Sequence, residues 1–260
     1  MEERIWHQHY DPGVPHSLEY PEVTLGDLLV KAADRYADRP AIHFMGSAMD
    51  YRALDRVVGR FAAALQGLGV AKGDRVSVFA ANCPQTVIAY EAIWRIGAVA
   101  VPSNPLYTAA EFRHQASDAG SRAVVCMSMM YDRVLQALPD TALEHVIVTN
   151  IKESFPPLLK VLFTLAKERS GGHRANLKGE PRAAWMRDLI AAAAPAPEPV
   201  TVEPDDLAVL MYTGGTTGVP KGVMLSHRNM MANCRQLQAF SPGLQEAEEI
   251  MVSALPLTHS

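Results

Sequence analysis

One stretch rich in glycine and threonine organises this sequence, and it runs Met211-Tyr212-Thr213-Gly214-Gly215-Thr216-Thr217-Gly218-Val219-Pro220-Lys221-Gly222. The apolar run at 207–211 leads into it and predicts a buried strand. Four glycines within nine positions allow a tight turn that approaches a ligand closely, because glycine has no Cβ. Backbone N–H groups in such a concave turn suit phosphate oxygens, and Lys221 adds a compact positive charge. The stretch therefore predicts a phosphate-binding loop.

The spacing of this loop excludes two common phosphate-binding motifs. A P-loop requires Gly-Lys followed by serine or threonine, but Pro220 precedes Lys221 and Gly222 follows it. The dinucleotide-binding fingerprint requires glycines at its first, third and sixth positions, and the glycines of this loop do not have that spacing. An ordinary surface turn is the remaining alternative, and it leaves the lysine unexplained.

The run from Tyr212 to Gly222 resembles the signature of the adenylate-forming superfamily, which includes acyl-CoA synthetases, luciferases and the adenylation domains of peptide synthetases. Many members carry serine where Gly215 stands, and glycine there fits the long-chain fatty-acid–CoA ligase branch. Residues 99–108 are also similar to that branch. Judged from the residues alone, Asn104-Pro105 predicts a turn and Thr108 predicts a helix cap.

The order of apolar runs predicts an α/β fold. Strand-like runs alternate with helical patterns, which indicates a doubly wound, mostly parallel sheet with flanking helices. The resemblance implies the amino-terminal subdomains of the acyl-CoA synthetase/luciferase-like fold, incomplete. We expect a first α/β subdomain over 1–192, a linker rich in proline and alanine over 193–204, and the start of a second subdomain over 205–260 that carries the loop.

Local signals predict individual elements. Thr24 with Asp27 three residues later predicts a capped helix start, and Pro84 predicts another. Residues 182–194 predict a short helix that contains Trp185, and residues 249–255 predict a strand.

The composition is that of an ordinary soluble chain, with 48% apolar residues, 20% charged residues and a net charge of −4 over 260 residues. The charge gives no reason to expect nucleic-acid binding. The charged start lacks a signal-peptide core, and no apolar run reaches the roughly 18 residues of a membrane span, so we expect a cytoplasmic protein. Cys83, Cys126 and Cys234 show no metal-ligand spacing, which predicts core thiols in a reducing compartment and no metal site on the protein itself.

The resemblance implies a two-step reaction. A fatty acid carboxylate attacks the α-phosphate of ATP to give an acyl-adenylate and pyrophosphate, and the thiol of coenzyme A then displaces AMP. A carboxylate is already ionised at neutral pH and needs no general base. Mg²⁺ and cationic or N–H donors offset the phosphate charge. The predicted contacts to the β- and γ-phosphates are Thr213, Gly214, Gly215, Thr216, Thr217, Gly218 and Lys221.

The sequence closes with Leu255-Pro256-Leu257-Thr258-His259-Ser260, which resembles the Pro-Leu-x-His motif of the family. In relatives the corresponding histidine lies beside the acyl substrate, so the resemblance implies a catalytic role for His259. An imidazole there would orient a carboxylate or gate a pocket. The alternative is a polar surface group at the end of a strand.

The resemblance also implies features that this sequence does not contain: a Tyr-Gly-x-Thr-Glu motif, an aspartate for the ribose, a hinge, and a carboxy-terminal domain with a catalytic lysine. We therefore expect an amino-terminal part of a ligase that is not competent alone and that self-associates through exposed apolar surface. Two alternatives stay open. One is an adenylating enzyme for an aryl, short-chain or amino acid, and the other is a non-catalytic nucleotide-binding or interaction module.

Residues 151–180 interrupt the alternation of strands and helices with an amphipathic pattern. The residues predicted to share one apolar face are Leu158, Leu159, Leu162, Phe163, Leu165 and Ala166. Basic residues follow as far as Lys178. One interpretation is peripheral contact of residues 155–167 with the inner face of a membrane. The other is burial of this face against the domain or against a partner subunit.

Overall fold

The computed structural model describes residues 4–213 and 220–258 of the chain. Its strands are β1 Pro40–Phe44, β2 Ser47–Asp50, β3 Arg75–Phe79, β4 Val99–Pro102, β5 Ala123–Met127, β6 His145–Thr149, β7 Ala183–Trp185, β8 Leu207–Tyr212 and β9 Gly222–Ser226. Its α-helices are α1 Leu25–Tyr36, α2 Tyr51–Gly67, α3 Pro84–Arg95, α4 Ala109–Asp118, α5 Tyr131–Ala137, α6 Pro157–Ala166, α7 Met186–Ala192 and α8 His227–Ala239. Short 3₁₀ helices cover Ile5–His9, Ser128–Met130, Leu138–Asp140 and Ile151–Ser154.

Seven of the described strands form one sheet in the order β7-β6-β5-β3-β4-β8-β9. Every neighbouring pair in it is parallel except β8 and β9, which are antiparallel. Strands β1 and β2 form a separate antiparallel hairpin. The predicted α/β class and the mostly parallel sheet are confirmed, with β9 as an antiparallel edge.

The helices form two groups, one on each face of this sheet. Helix α2 packs against both α3 and α7, whereas α4 packs against α5. The chain moves from β3 to β4 in one direction along the sheet and from β4 to β5 in the other. Right-handed crossovers that run in opposite directions leave the sheet on opposite faces, so α3 and α4 cover different faces. This arrangement is the predicted doubly wound one.

The core lies in the centre of the sheet. All residues of β4 and β5 are buried, as are the last four residues of β3 and of β6. Phe79 at the end of β3 stacks on Phe112 of α4, with 4.7 Å between the ring centroids. Parallel strands covered on both faces are expected to be continuously apolar, as these are.

The predicted helix starts are confirmed. Asp27 N–H donates to Thr24 Oγ1 at 3.3 Å, and Thr24 N–H donates to the Asp27 carboxylate at 3.0 Å, which is a capping box. Pro84 is the first residue of α3. Thr108 caps α4 in the same reciprocal way with Glu111.

Three local predictions are wrong. Trp185 lies in strand β7, because β6 offers a pairing edge, and the helix begins only at Met186. Residues 249–255 form no strand, since no described strand lies beside them to complete a ladder. Cys83 and Cys126 are buried as expected, but Cys234 is exposed on α8.

The segment 193–204 lies against α2 and the turn that follows it. The side chain of Gln66 donates to Glu198 O at 3.0 Å and accepts from Glu198 N–H at 2.8 Å. Arg60 donates to Ala193 O at 3.3 Å, and Lys72 donates to Thr201 O at 2.9 Å. The proline- and alanine-rich segment is therefore hydrogen-bonded to α2 and to the turn after it at three points between Ala193 and Thr201.

Candidate functional site

The two ends of the predicted phosphate loop lie opposite each other at the end of a hairpin. Tyr212 of β8 pairs with Gly222 of β9, and Thr213 N–H donates to Lys221 O at 3.1 Å. The side chains of Thr213 and Lys221 are exposed. The structure thus brings together the first and last residues of the predicted phosphate contacts, with nothing of the described core covering them.

The other predicted site residues lie outside the described part of the chain. These are Gly214, Gly215, Thr216, Thr217, Gly218 and His259. Their roles remain predictions.

The hairpin places this loop at the carboxyl edge of the parallel sheet. Strand β8 runs parallel to β4, which runs parallel to β3. The loop follows β8 just as residues 103–108 follow β4. Ligands of open α/β sheets bind outside the carboxyl ends of the strands, so the loop lies where a ligand is expected.

A tyrosine fixes the base of the loop. Tyr212 is 8% exposed, and its hydroxyl donates to the Asp118 carboxylate at 2.5 Å. Burial raises the pKa of the Tyr212 phenol, and the hydrogen bond to Asp118 raises that pKa further. The phenol therefore stays protonated at neutral pH and holds β8 to the end of α4.

The glycine after the lysine is explained by this same tyrosine. A Cβ on Gly222 would lie 3.1 Å from Cζ of the Tyr212 ring, which is closer than ordinary contact. The ring occupies the space that a side chain on Gly222 would need. Gly222 is thus a close cross-strand packing position directly after Lys221.

A cavity of about 390 Å³ lies between α4 and the base of the loop. Its lining includes Tyr107, His114 and Gln115 from one side and Tyr212 and Pro220 from the other. The volume falls within the range of about 300–1,000 Å³ that small-molecule pockets have. The cavity therefore places a ligand-sized space beside Pro220, the residue before Lys221.

Gln115 lines this cavity and anchors α4 to the end of β4. The residue is 2% exposed, and its Nε2 donates to Pro102 O at 2.9 Å. Its Oε1 has no hydrogen-bond partner among the described residues.

Residues 103–108 behave as the structural turn that their sequence predicts. Asn104 Oδ1 accepts from Leu106 N–H at 3.0 Å, and Arg133 donates to Pro105 O at 3.0 Å. These bonds hold the turn between β4 and α4. This turn also sets the position of Tyr107 at the cavity wall.

Sequence reasoning missed Asp118, Gln115 and the packing role of Tyr212. Asp118 and Gln115 belong to an otherwise ordinary helical pattern, and only the fold brings Asp118 to Tyr212 across 94 positions. The glycine after Lys221 was the one available signal, because glycine in a strand marks a close approach.

The described residues contain no group of three or more His, Cys, Asp or Glu side chains placed to hold a metal ion. Burial raises the pKa of the Cys126 thiol to about 12 and also raises that of Cys83, so both thiols remain protonated. No α-helix of 4–213 or 220–258 has both the length and the apolar character needed to cross a bilayer.

The fold is a mostly parallel α/β sheet with a ligand-sized cavity near its carboxyl edge, and comparison with known proteins identifies its family. The sequence profile of the AMP-binding enzyme family matches residues 29–260. The chain belongs to this family.

Among curated relatives, the chain is similar to the long-chain-fatty-acid–CoA ligase of Bacillus subtilis strain 168, with 32% identity over 99% of the chain and 46% of that protein. It is similar to the ligase of the same description from Escherichia coli O6:H1, with 36% identity over 98% of the chain and 46% of that protein. The crystal structure of a long-chain-fatty-acid-CoA ligase from Archaeoglobus fulgidus superposes with a TM-score of 0.74 and 29% identity, over 96% of the chain and 45% of that structure. The chain thus spans about half the length of these relatives.

Proposed function

We propose that this chain supplies the ATP-phosphate-binding part of an ATP-dependent fatty-acid–CoA ligase. The observation that carries the proposal is the closure of the loop by Thr213 N–H and Lys221 O at the carboxyl edge of the sheet. The named activity of the relatives supports the choice of acid and of the AMP-forming route. ATP, a fatty acid and coenzyme A are the proposed substrates.

In this proposal Lys221 contacts the β- and γ-phosphates as a compact cation, and the threonine hydroxyls and loop amides add hydrogen bonds. The ammonium group offsets the repulsion between the incoming carboxylate and the polyphosphate. Mg²⁺ would arrive with the nucleotide, since it is bound mainly by phosphate oxygens, waters and one or two protein oxygens. Thr213, Thr216 and Thr217 are the hydroxyl donors that the loop offers, and His259 is proposed to face the acyl group.

The test is a calorimetric titration of the chain with Mg-ATP, inorganic pyrophosphate and AMP, comparing the natural protein with Lys221→Ala. A charge-assisted hydrogen bond contributes about 1.5–3 kcal/mol. Lys221→Ala should therefore weaken ATP and pyrophosphate binding by about ten- to a hundredfold, while AMP binding stays unchanged because AMP lacks the β- and γ-phosphates. Lys31→Ala, which removes an exposed lysine from α1, is the matched control. Equal affinities of Lys221→Ala and the control for pyrophosphate would refute the proposal.

The proposed location is cytoplasmic, with peripheral contact of residues 155–167 at the inner face of a membrane. The division into subdomains at 193–204 is proposed as well.

Self-association is a further part of the proposal. Ile250, Met251, Val252 and Leu255 are each about 80% exposed. Strand β9 forms an edge of the sheet, and Met224 on it is 69% exposed. Unpaired apolar edges associate readily. Sedimentation velocity at rising concentration should show larger species that Met224→Lys reduces.

A further inference from the structure

Helix α6 has two apolar faces of different kinds. Leu159 and Phe163 face inward and are half-buried, and the Phe163 ring lies 5.3 Å from Phe155 and 5.0 Å from His173. The other face carries four side chains with exposed fractions between 53% and 80%, and we name it the outer stripe: Leu158, Val161, Leu162 and Leu165. Their i, i+3, i+4, i+7 spacing places them on one side of the helix. The single apolar face expected from the sequence is therefore divided in two.

A polar network under α6 keeps this orientation. Lys152 pairs with Glu168 at 2.7 Å, and both side chains are largely buried. Lys152 also donates to Thr164 Oγ1 of the helix at 3.2 Å. Asn150 Nδ2 donates to His173 O at 2.8 Å. Turning the outer stripe inward would break these bonds and leave a buried ion pair unsatisfied, so the stripe is held toward solvent.

The turn between β1 and β2 extends this surface. Met45 has φ of +50° and is 56% exposed, and Gly46 follows with φ of +86°. A Cβ on Gly46 would lie 3.7 Å from Pro156, so the turn adjoins the start of α6. Asparagine, aspartate or glycine is usual at such a turn position, and a methionine is uncommon there. Its placement adds an exposed, flexible apolar side chain next to the outer stripe.

The charges around α6 are sorted by sign. Residues 151–180 contain six lysines and arginines against three glutamates, a net charge of +3 in a chain of net −4. Glu153 and Glu168 point inward, with side-chain exposures of 14% and 9%. Five exposed cations of this segment form no ion pair within the described ranges. These are Lys160, Lys167, Arg169, Arg174 and Lys178. The surface is therefore apolar on the helix and positively charged around it.

We infer that the outer stripe and Met45 dock on an anionic phospholipid bilayer. Short amphipathic helices with basic surroundings bury their apolar face at the boundary between headgroups and acyl chains. Basic residues near an anionic surface strengthen this binding. A second copy of the chain is a poorer occupant, because a two-fold interface would bring the same positive segments together. The inference deepens the membrane contact of the proposed function and does not depend on the phosphate loop.

The test is flotation of the chain with vesicles of phosphatidylcholine alone and of phosphatidylcholine mixed with phosphatidylglycerol. The natural chain should bind the mixed vesicles, bind the neutral ones more weakly, and dissociate as salt rises. The double variant Leu162→Asp, Leu165→Asp should lose at least about tenfold in binding, because charged groups replace apolar ones at the acyl boundary. Leu237→Asp is the matched control, since Leu237 is a similarly exposed leucine on another helix, α8.

A second measurement reports the depth of the helix. The fluorescence of Leu165→Trp should shift to shorter wavelength on adding mixed vesicles, and that of Leu237→Trp should not. Circular dichroism establishes that each variant is folded.

Equal vesicle binding of the double aspartate variant and its control would overturn the inference. A dimer that sedimentation detects and that the double variant dissociates would overturn it too, because the stripe would then be covered by protein. Lys221→Ala should bind vesicles like the natural chain, so a failure of nucleotide binding and a failure of membrane binding are separate results.

Discussion

The central strands and the β8–β9 hairpin are held in different ways. The centre, β3 to β6, is enclosed by apolar side chains on both faces. The hairpin joins the sheet through β4, and its apolar packing consists of two small clusters, one around Val209 and one around Tyr212. Single polar contacts add to them: Trp94 Nε1–H donates to Ala208 O at 3.1 Å, Tyr212 donates to Asp118, and His227 at the start of α8 accepts from Leu25 N–H. The predicted phosphate loop connects the two strands of this second region. The difference shows that the predicted site lies on the thinly packed side of the sheet, held by two small apolar clusters and a few directional bonds, whereas the large core surrounds β3 to β6.

The largest expected effect lies in the core and concerns Glu91 of α3. Burial raises the pKa of its carboxyl to about 7, with Asp55 raising it further and Arg95 opposing. Its Oε2 has no partner within the described residues. The unfolded chain releases this proton near pH 4.5, whereas the folded chain keeps it up to about pH 7. The free energy of unfolding should therefore fall as pH rises from 4.5 through 7.

Glu91→Gln should remove this loss and raise the free energy of unfolding by about 2–3 kcal/mol at pH 8, with little change at pH 4.5. Urea unfolding at both pH values measures it. Glu248→Gln, on the exposed side of the chain, is the matched control. A pH dependence that survives Glu91→Gln would show that the buried carboxyl does not titrate in this range.

The next effect concerns His227, which follows the hairpin directly. Its pH dependence should have the opposite sign to that of Glu91 in the core. His227 is fully buried at the start of α8, and its Nδ1 accepts from Leu25 N–H at 3.1 Å. Burial lowers its pKa, and Lys72 acts in the same direction while Asp206 and Asp27 oppose it. As pH falls, the imidazole of His227 is therefore protonated in the unfolded chain before it is protonated in the folded chain. Stability from this group is therefore present above about pH 6.5 and is lost as pH falls through the lowered folded-state value.

His227→Phe should lower the free energy of unfolding by about 1–3 kcal/mol at pH 7.5, because Leu25 N–H is left buried without an acceptor. His227→Asn offers an oxygen near the Nδ1 position and should retain part of that energy while losing the histidine's pH dependence. Urea unfolding between pH 5.5 and 7.5 tests both. Identical slopes in the natural chain and His227→Asn would disprove the assignment.

The smallest effect is at the loop itself. Gly222→Ala adds a Cβ that would approach the Tyr212 ring to 3.1 Å, so the ring or the strand must shift. We expect a stability loss of about 1 kcal/mol together with weaker pyrophosphate binding, measured by thermal unfolding and calorimetry. Gly243→Ala is the control, because no atom lies within 4 Å of a Cβ built there. If both variants bind pyrophosphate equally, the packing of Tyr212 does not set the loop.

The features predicted from sequence are those with local causes. Thr24 with Asp27 predicts one helix start within a few residues, and Pro84 predicts another. The continuous apolar runs of the central strands predict a buried parallel sheet. For the site, the loop sequence named Thr213 and Lys221, and the structure places them face to face.

The features that were missed depend on distant partners. Trp185 is a strand residue because β6 happens to lie beside it, and residues 249–255 are not a strand because no described strand does. The antiparallel direction of β9 follows from a hairpin connection, and no composition signal marks it. Tyr212 meets Asp118 only once α4 and β8 are assembled.

The fastening of residues 193–204 to α2 has a practical consequence for anyone who cuts or fuses this chain. A protease must draw an extended peptide into its cleft, and here the backbone of Glu198 is already bonded to Gln66 in both directions. Digestion should therefore spare a stretch whose composition marks it as an exposed tether. An insertion there would break the hydrogen bonds that hold residues 193–204 against α2 on the way to β8.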